Sequence, residues 1–212
     1  MNLRVVLAGL AGGVAMFIWG FVAHMILPLG EAGLKALPYE ESVLTAVSAH
    51  IKEPGFYLFP WPESPTGTPM PMSAEARKKA EELYKTFPHG MLLFYPPPGP
   101  MMTGGQLVIE LTTNVLSSFI AAVLVHMTLG SVRSFFKRAL FVAVIGLSAG
   151  IAVNVPHWNW YGFPAAFTLG EIVEHVVGFG IVGLVLAAIL KPAEATSADA
   201  LKQPGRIAAF DS

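Results

Sequence analysis

Four apolar runs constrain this chain more than any other feature. They are VVLAGLAGGVAMFIWGFVAHMIL (5–27), QLVIELTTNVLSSFIAAVLVHMTL (106–129), ALFVAVIGLSAGIAVNV (139–155) and AAFTLGEIVEHVVGFGIVGLVLAAIL (165–190). Crossing a hydrocarbon layer takes roughly 20 apolar residues in helical form, because lipid offers the backbone no hydrogen-bond partners. All but the third run reach that length. The chain is 54% hydrophobic and 13% charged, whereas soluble domains carry about 25% charged residues. The expected fold class is an all-α integral membrane four-helix bundle. The first run is longer than the roughly 7–15 apolar residues of a signal peptide, and Trp19 and His24 suit one poorly, so it reads as an uncleaved span.

Short loops report orientation through their Lys and Arg. The segment 130–138 carries Arg133, Lys137 and Arg138 and no acid, whereas 156–164, PHWNWYGFP, carries neither Lys nor Arg. Arg4 precedes the first run and Lys191 follows the last. All four observations predict both termini inside, as in a bacterial cytoplasmic membrane protein.

The organisation that follows is span one at 1–29, an extracytoplasmic Pro-rich cap at 30–105 and span two at 106–129. A cytoplasmic loop at 130–138 leads to span three at 139–155 and an outer aromatic loop at 156–164. Span four at 165–190 ends in a polar cytoplasmic tail, 191–212. Within the cap, helices are expected at 39–51 and, after a Ser73 N-cap, at 74–87, where Glu75–Lys79 and Glu81–Lys85 are spaced to pair. Residues 54–72 read as too proline-rich for regular structure, and the cap as a cover over the bundle mouth. Phe56, Tyr57, Phe59 and Trp61, with Trp158, Trp160 and Tyr161, are expected at the membrane interface.

Ionisable groups inside spans are costly, turn inward and mark function. Glu171, Glu174 and His175 fall in one sector of about 100° on span four. Counted from the outer surface at 1.5 Å per residue, Glu171 lies ~9 Å deep and Glu174 and His175 ~14 Å. On span two, Glu110 and Asn114 share a face with Thr113 and Ser117. His24 shares a face of span one with Gly9, Gly13 and Gly20, small residues that mark close helix approach. Span three offers Gly146, Gly150 and Asn154. His126 lies opposite Glu110, near the inner interface. The expectation is one outward-facing cluster: His24, Glu110, Asn114, Asn154, Glu171, Glu174 and His175, with His157 at its rim.

Several chemistries suit such a set. His24, Glu171, Glu174 and His175 are candidate metal ligands. Glu110, Asn114, Asn154 and His157 are candidate ligand-binding or supporting groups. Histidine and carboxylate without cysteine suit zinc, manganese or non-haem iron. Haem is a weaker alternative, because bis-His ligation needs two histidines at one depth. The ferritin-like Glu-x-x-His and zincin His-Glu-x-x-His spacings are both absent. A quinone or lipid headgroup could occupy the same mouth. A proton path is disfavoured by the lack of polar groups in the inner half. Glu–His and Asn–Ser contacts can also simply hold helices together.

The sequence excludes more than it names. There are no cysteines, so disulfides and thiolate chemistry are out. A net charge of −1 argues against a nucleic-acid partner. Phosphate loops, dinucleotide fingerprints and a serine nucleophile elbow are missing. The expected function is an accessory or ligand-binding membrane subunit, associated with the bilayer or a larger complex. The alternatives are a metal- or haem-dependent membrane enzyme, with Glu174 or Glu171 as base beside His175, and a purely structural subunit.

Overall fold

The computed structural model describes residues 2–61 and 74–193. Among these residues four helices are long and apolar enough to cross a membrane: α1 (Leu3–Met25), α4 (Gly104–Thr128), α5 (Phe135–Tyr161) and α6 (Ala165–Ile189). They suit a multi-pass membrane protein. Between α1 and α4 lie α2 (Glu40–His50), β1 (Gly55–Phe59), α3 (Ala74–Thr86) and β2 (Gly90–Phe94).

Local chemistry sets the ends of the long helices. The Asn2 side chain accepts the Arg4 amide at 3.1 Å and caps α1. Thr103 and Gln106 form a reciprocal capping box that starts α4 two residues before the apolar run. Ser134 caps α5. Helix α5 continues through Pro156 to Tyr161 and stops at Gly162, whose φ of 72° is left-handed. The segment 156–161, expected as loop, is therefore helical. Its aromatic residues end the apolar run without ending the helix, and glycine supplies the stop.

Helix α1 packs between α4 and α6, and α5 packs along the other side of α6. Glycines permit these approaches. A methyl group at Gly9 would lie 2.9 Å from the Phe119 Cα, and one at Gly146 would lie 2.6 Å from the His175 carbonyl oxygen. The core, with Val5, Ala8, Ala122, Val125, Val142, Val182 and Leu186, fills the half of the bundle nearest Arg4, Arg133 and Lys191. We call this the basic end and the opposite one the cap end. At the cap end α4 is poorly supported: residues 104–113 are all exposed. Helix α4 touches α5 and α6 only sparingly. Close packing at one end and divergence at the other leave room for a polar site.

In the cap, β1 and β2 form an antiparallel ribbon in which Phe56 faces Leu93 and Leu58 faces Met91. No strand was expected here, because the prolines flanking GFYLF mask a short β-favouring run. The part of the Pro-rich stretch at 62–72 and the Ser73 cap lie outside the described residues. The cap meets the bundle through the turn Leu29–Glu31, which packs on α1 and α6. Among the described residues the two cap helices and the ribbon make few contacts with the long helices.

Candidate functional site

A cavity of about 210 Å³ opens at the cap-end half between α1, α4 and α6. Helix α1 contributes Met16, Trp19 and Gly20. Helix α4 contributes Glu110, Thr113, Asn114 and Ser117, and α6 contributes Glu174, His175 and Phe179. The residues fall at i, i+3, i+4 on α1, at i, i+3, i+4, i+7 on α4 and at i, i+1, i+5 on α6, one face of each helix.

Glu174 is the centre of the arrangement. One carboxyl oxygen lies 3.2 Å from His24 Nε2, in a pair whose side chains are 50% exposed for His24 and 17% for Glu174. The other, Oε2, is buried and has no hydrogen-bond partner among the described residues. The Glu174 main-chain carbonyl accepts the Trp19 indole N–H at 3.1 Å. Two residues of α1 thus hold a single position of α6, one at its side chain and one at its backbone.

His175 is fixed by its own helix. Its Nδ1 lies 2.7 Å from the Glu171 carbonyl oxygen. A carbonyl only accepts, so Nδ1 carries the proton, and in the neutral ring Nε2 is an acceptor. Gly150 lets α5 pass directly behind this ring, since a methyl there would lie 3.3 Å from the His175 Cβ. On α4, Asn114 is buried and donates from Nδ2 to Glu110 Oε1 at 3.0 Å. Glu110 itself is exposed at the cavity edge.

The structure therefore brings Glu110, Asn114, Glu174 and His175 around one space, with His24 paired to Glu174. It separates the other expected members. Glu171 is half-buried and does not line the cavity. Asn154 is buried on α5, where its Nδ2 donates to the Gly150 carbonyl at 3.0 Å. His157 packs its ring 5.8 Å from Tyr161 and 5.2 Å from Phe163, in an aromatic group away from the cavity. For Asn154 and His157 the physical reason is the placement of α5. It packs on the far side of α6, so its polar groups cannot join those of α1 and α4.

Metal ligation needs three or more side chains converging on one point. No such group of His, Asp or Glu exists among the described residues. His24 and Glu174 are a pair, Glu171 stands apart, and the His175 Nδ1 is committed to backbone.

Trp19, Met16 and Phe179 were not anticipated as wall residues. Trp19 carried a usable signal: an indole N–H within a span must find an acceptor. Comparison with protein-family models, curated proteins and solved structures finds no match for this chain.

Proposed function

We propose that this chain is a ligand-binding or accessory subunit of a bacterial cytoplasmic membrane, with both termini inside and the cap outside. Its α1–α4–α6 cavity takes a small polar ligand that presents a hydrogen-bond donor or a positive charge. One observation carries the reading: the buried, unpartnered Oε2 of Glu174 beside the cavity. A buried carboxylate oxygen without a donor is costly, and more so in lipid. A donor-bearing ligand satisfies it. The acceptor Nε2 of His175 and the Glu110 carboxyl offer further acceptors on the same walls. Trp19 and Phe179 supply apolar area, a usual division of labour in small-molecule sites. The orientation rests on the Lys and Arg gathered at one end of the bundle.

The Trp19 and His24 contacts also favour a second reading, in which the polar groups only join α1 to α6. Thermal unfolding in detergent separates the two. Manganese, zinc, ethanolamine and choline are titrated against wild type and Glu174→Gln. A ligand that binds only the folded state raises Tm in proportion to the logarithm of its concentration over Kd. The binding reading expects a saturable rise for at least one amine in wild type, absent in Glu174→Gln. No saturable rise for any compound overturns it, and a lower Tm of Glu174→Gln without any ligand effect then favours the structural reading. A rise only with the metals moves the site to metal chemistry.

A further inference from the structure

A second cavity, about 750 Å³, lies at the basic end. Its charged lining is Arg4 from the first turn of α1, Arg133 from the turn after α4, and Lys191 just past α6, with His126 from the last turn of α4. Among the described residues no Asp or Glu lines it. The volume falls within the range of roughly 300–1,000 Å³ typical of small-molecule sites.

We infer that this cavity is a binding site for a phosphate-bearing anion, of the kind presented by an acidic phospholipid headgroup. Three cations from separate elements converge on one space, and none is paired with a carboxylate among the described residues. The N-terminus of α1, with Asn2 and Arg4, borders the same space and adds the positive end of a 23-residue helix. The turn that presents Arg133 is also fixed. Arg138 is 3% exposed and spends its guanidinium on carbonyls: on Arg133 and Val132 in that turn, and on Ala187 of α6 at 3.1 Å. A buried cation thereby holds an exposed one at the cavity edge. Orienting a membrane protein needs only that Lys and Arg be present at one end. It does not need them gathered around a cavity, and basic pockets between membrane helices bind acidic headgroups. Lys137, at the same end, is exposed and outside the cavity, which makes it the matched control.

The test is native mass spectrometry of the detergent-solubilised full chain with added phosphatidylglycerol or phosphatidylcholine. Wild type, Lys137→Gln, Arg133→Gln, Lys191→Gln and the triple variant Arg4→Gln/Arg133→Gln/Lys191→Gln are compared. Phosphatidylglycerol is expected to bind wild type in preference to phosphatidylcholine. Affinity should fall about fivefold per cavity cation removed and on the order of a hundredfold in the triple variant. Lys137→Gln should match wild type. If the triple variant does not fold, the two single variants carry the same comparison, since both side chains are exposed. Millimolar inorganic phosphate separates the sources: displacement of the lipid at that concentration makes a soluble phosphate the ligand, and no displacement makes it the headgroup. Equal retention of both lipids without phosphate binding, or an equal loss in Lys137→Gln, overturns the site.

Discussion

The indole N–H of Trp19 on α1 donates to the main-chain carbonyl of Glu174 on α6 across 3.1 Å, at the residue whose side chain pairs with His24. The carbonyl lies inside the hydrogen-bonded ladder of α6, so Trp19 adds a bond and does not rescue an orphan. Trp19→Phe keeps most of the apolar wall and removes the donor. Interhelical hydrogen bonds in membranes average about 0.6 kcal/mol and reach about 2. We expect Trp19→Phe to lower unfolding stability in mild detergent by about 0.5–1.5 kcal/mol and to weaken amine binding at the cavity. Unchanged stability and binding would mean that the contact does not hold Glu174.

Glycine positions in the helices divide sharply by surroundings. A methyl at Gly13 would collide with the Val115 backbone on α4. A methyl at Gly180 would meet only the Ala143 Cβ at an ordinary 3.9 Å. Forcing extra volume into a packed contact costs typically 1–3 kcal/mol. Gly13→Ala should therefore destabilise by about that amount, while Gly180→Ala should be neutral or stabilise by up to ~1 kcal/mol through helix propensity. Denaturant titration in one detergent ranks the two, and an equal effect would contradict the α1–α4 approach.

These glycines also show what was legible in the sequence. The four long helices follow from apolar length alone, because lipid leaves the backbone no alternative. The faces bearing Glu110 and Asn114, and Glu174 and His175, follow from helical phase. Which helix neighbours which does not follow, and that decided the site. Asn154 has the right phase on α5, yet α5 packs beyond α6 and the asparagine bonds its own helix. Counted at 1.5 Å per residue from a span end near 29, His24 is expected only ~7 Å deep against ~14 Å for Glu174, yet their side chains meet at 3.2 Å. The start of α4 was readable after all: Thr103–Gln106 is a capping-box signature lying just ahead of the apolar run.

Arg138 yields a stability prediction at the other end. It is buried at 3% exposure and donates to carbonyls of the α4–α5 turn and of α6. Hydrogen bonds from a charged donor are each worth about 1.5–3 kcal/mol. Arg138→Ala removes the donors together with packed volume, and Arg138→Lys keeps the charge but loses the planar fork. We expect a loss of about 2–4 kcal/mol for alanine and a smaller loss for lysine, read from unfolding in detergent. Equal stability for arginine and lysine would show that the charge, and not the fork, holds the turn.

Orientation is the last expectation, and the chain is well suited to testing it because it contains no cysteine. A single cysteine introduced at an exposed position then labels without background. Lys52 is exposed in the cap and Lys137 is exposed at the basic end. If the Lys and Arg bias orients the bundle, Lys52→Cys should react with a membrane-impermeant maleimide in intact bacterial cells. Lys137→Cys should react only after permeabilisation. Long loops cross membranes largely regardless of their own charge, so the basic residues of the cap do not oppose this outcome. The reverse labelling pattern would turn the protein over, moving the Glu174 cavity to the cytoplasmic half and the basic cavity to the outer leaflet. Labelling of both positions in intact cells would contradict a fixed four-span topology altogether.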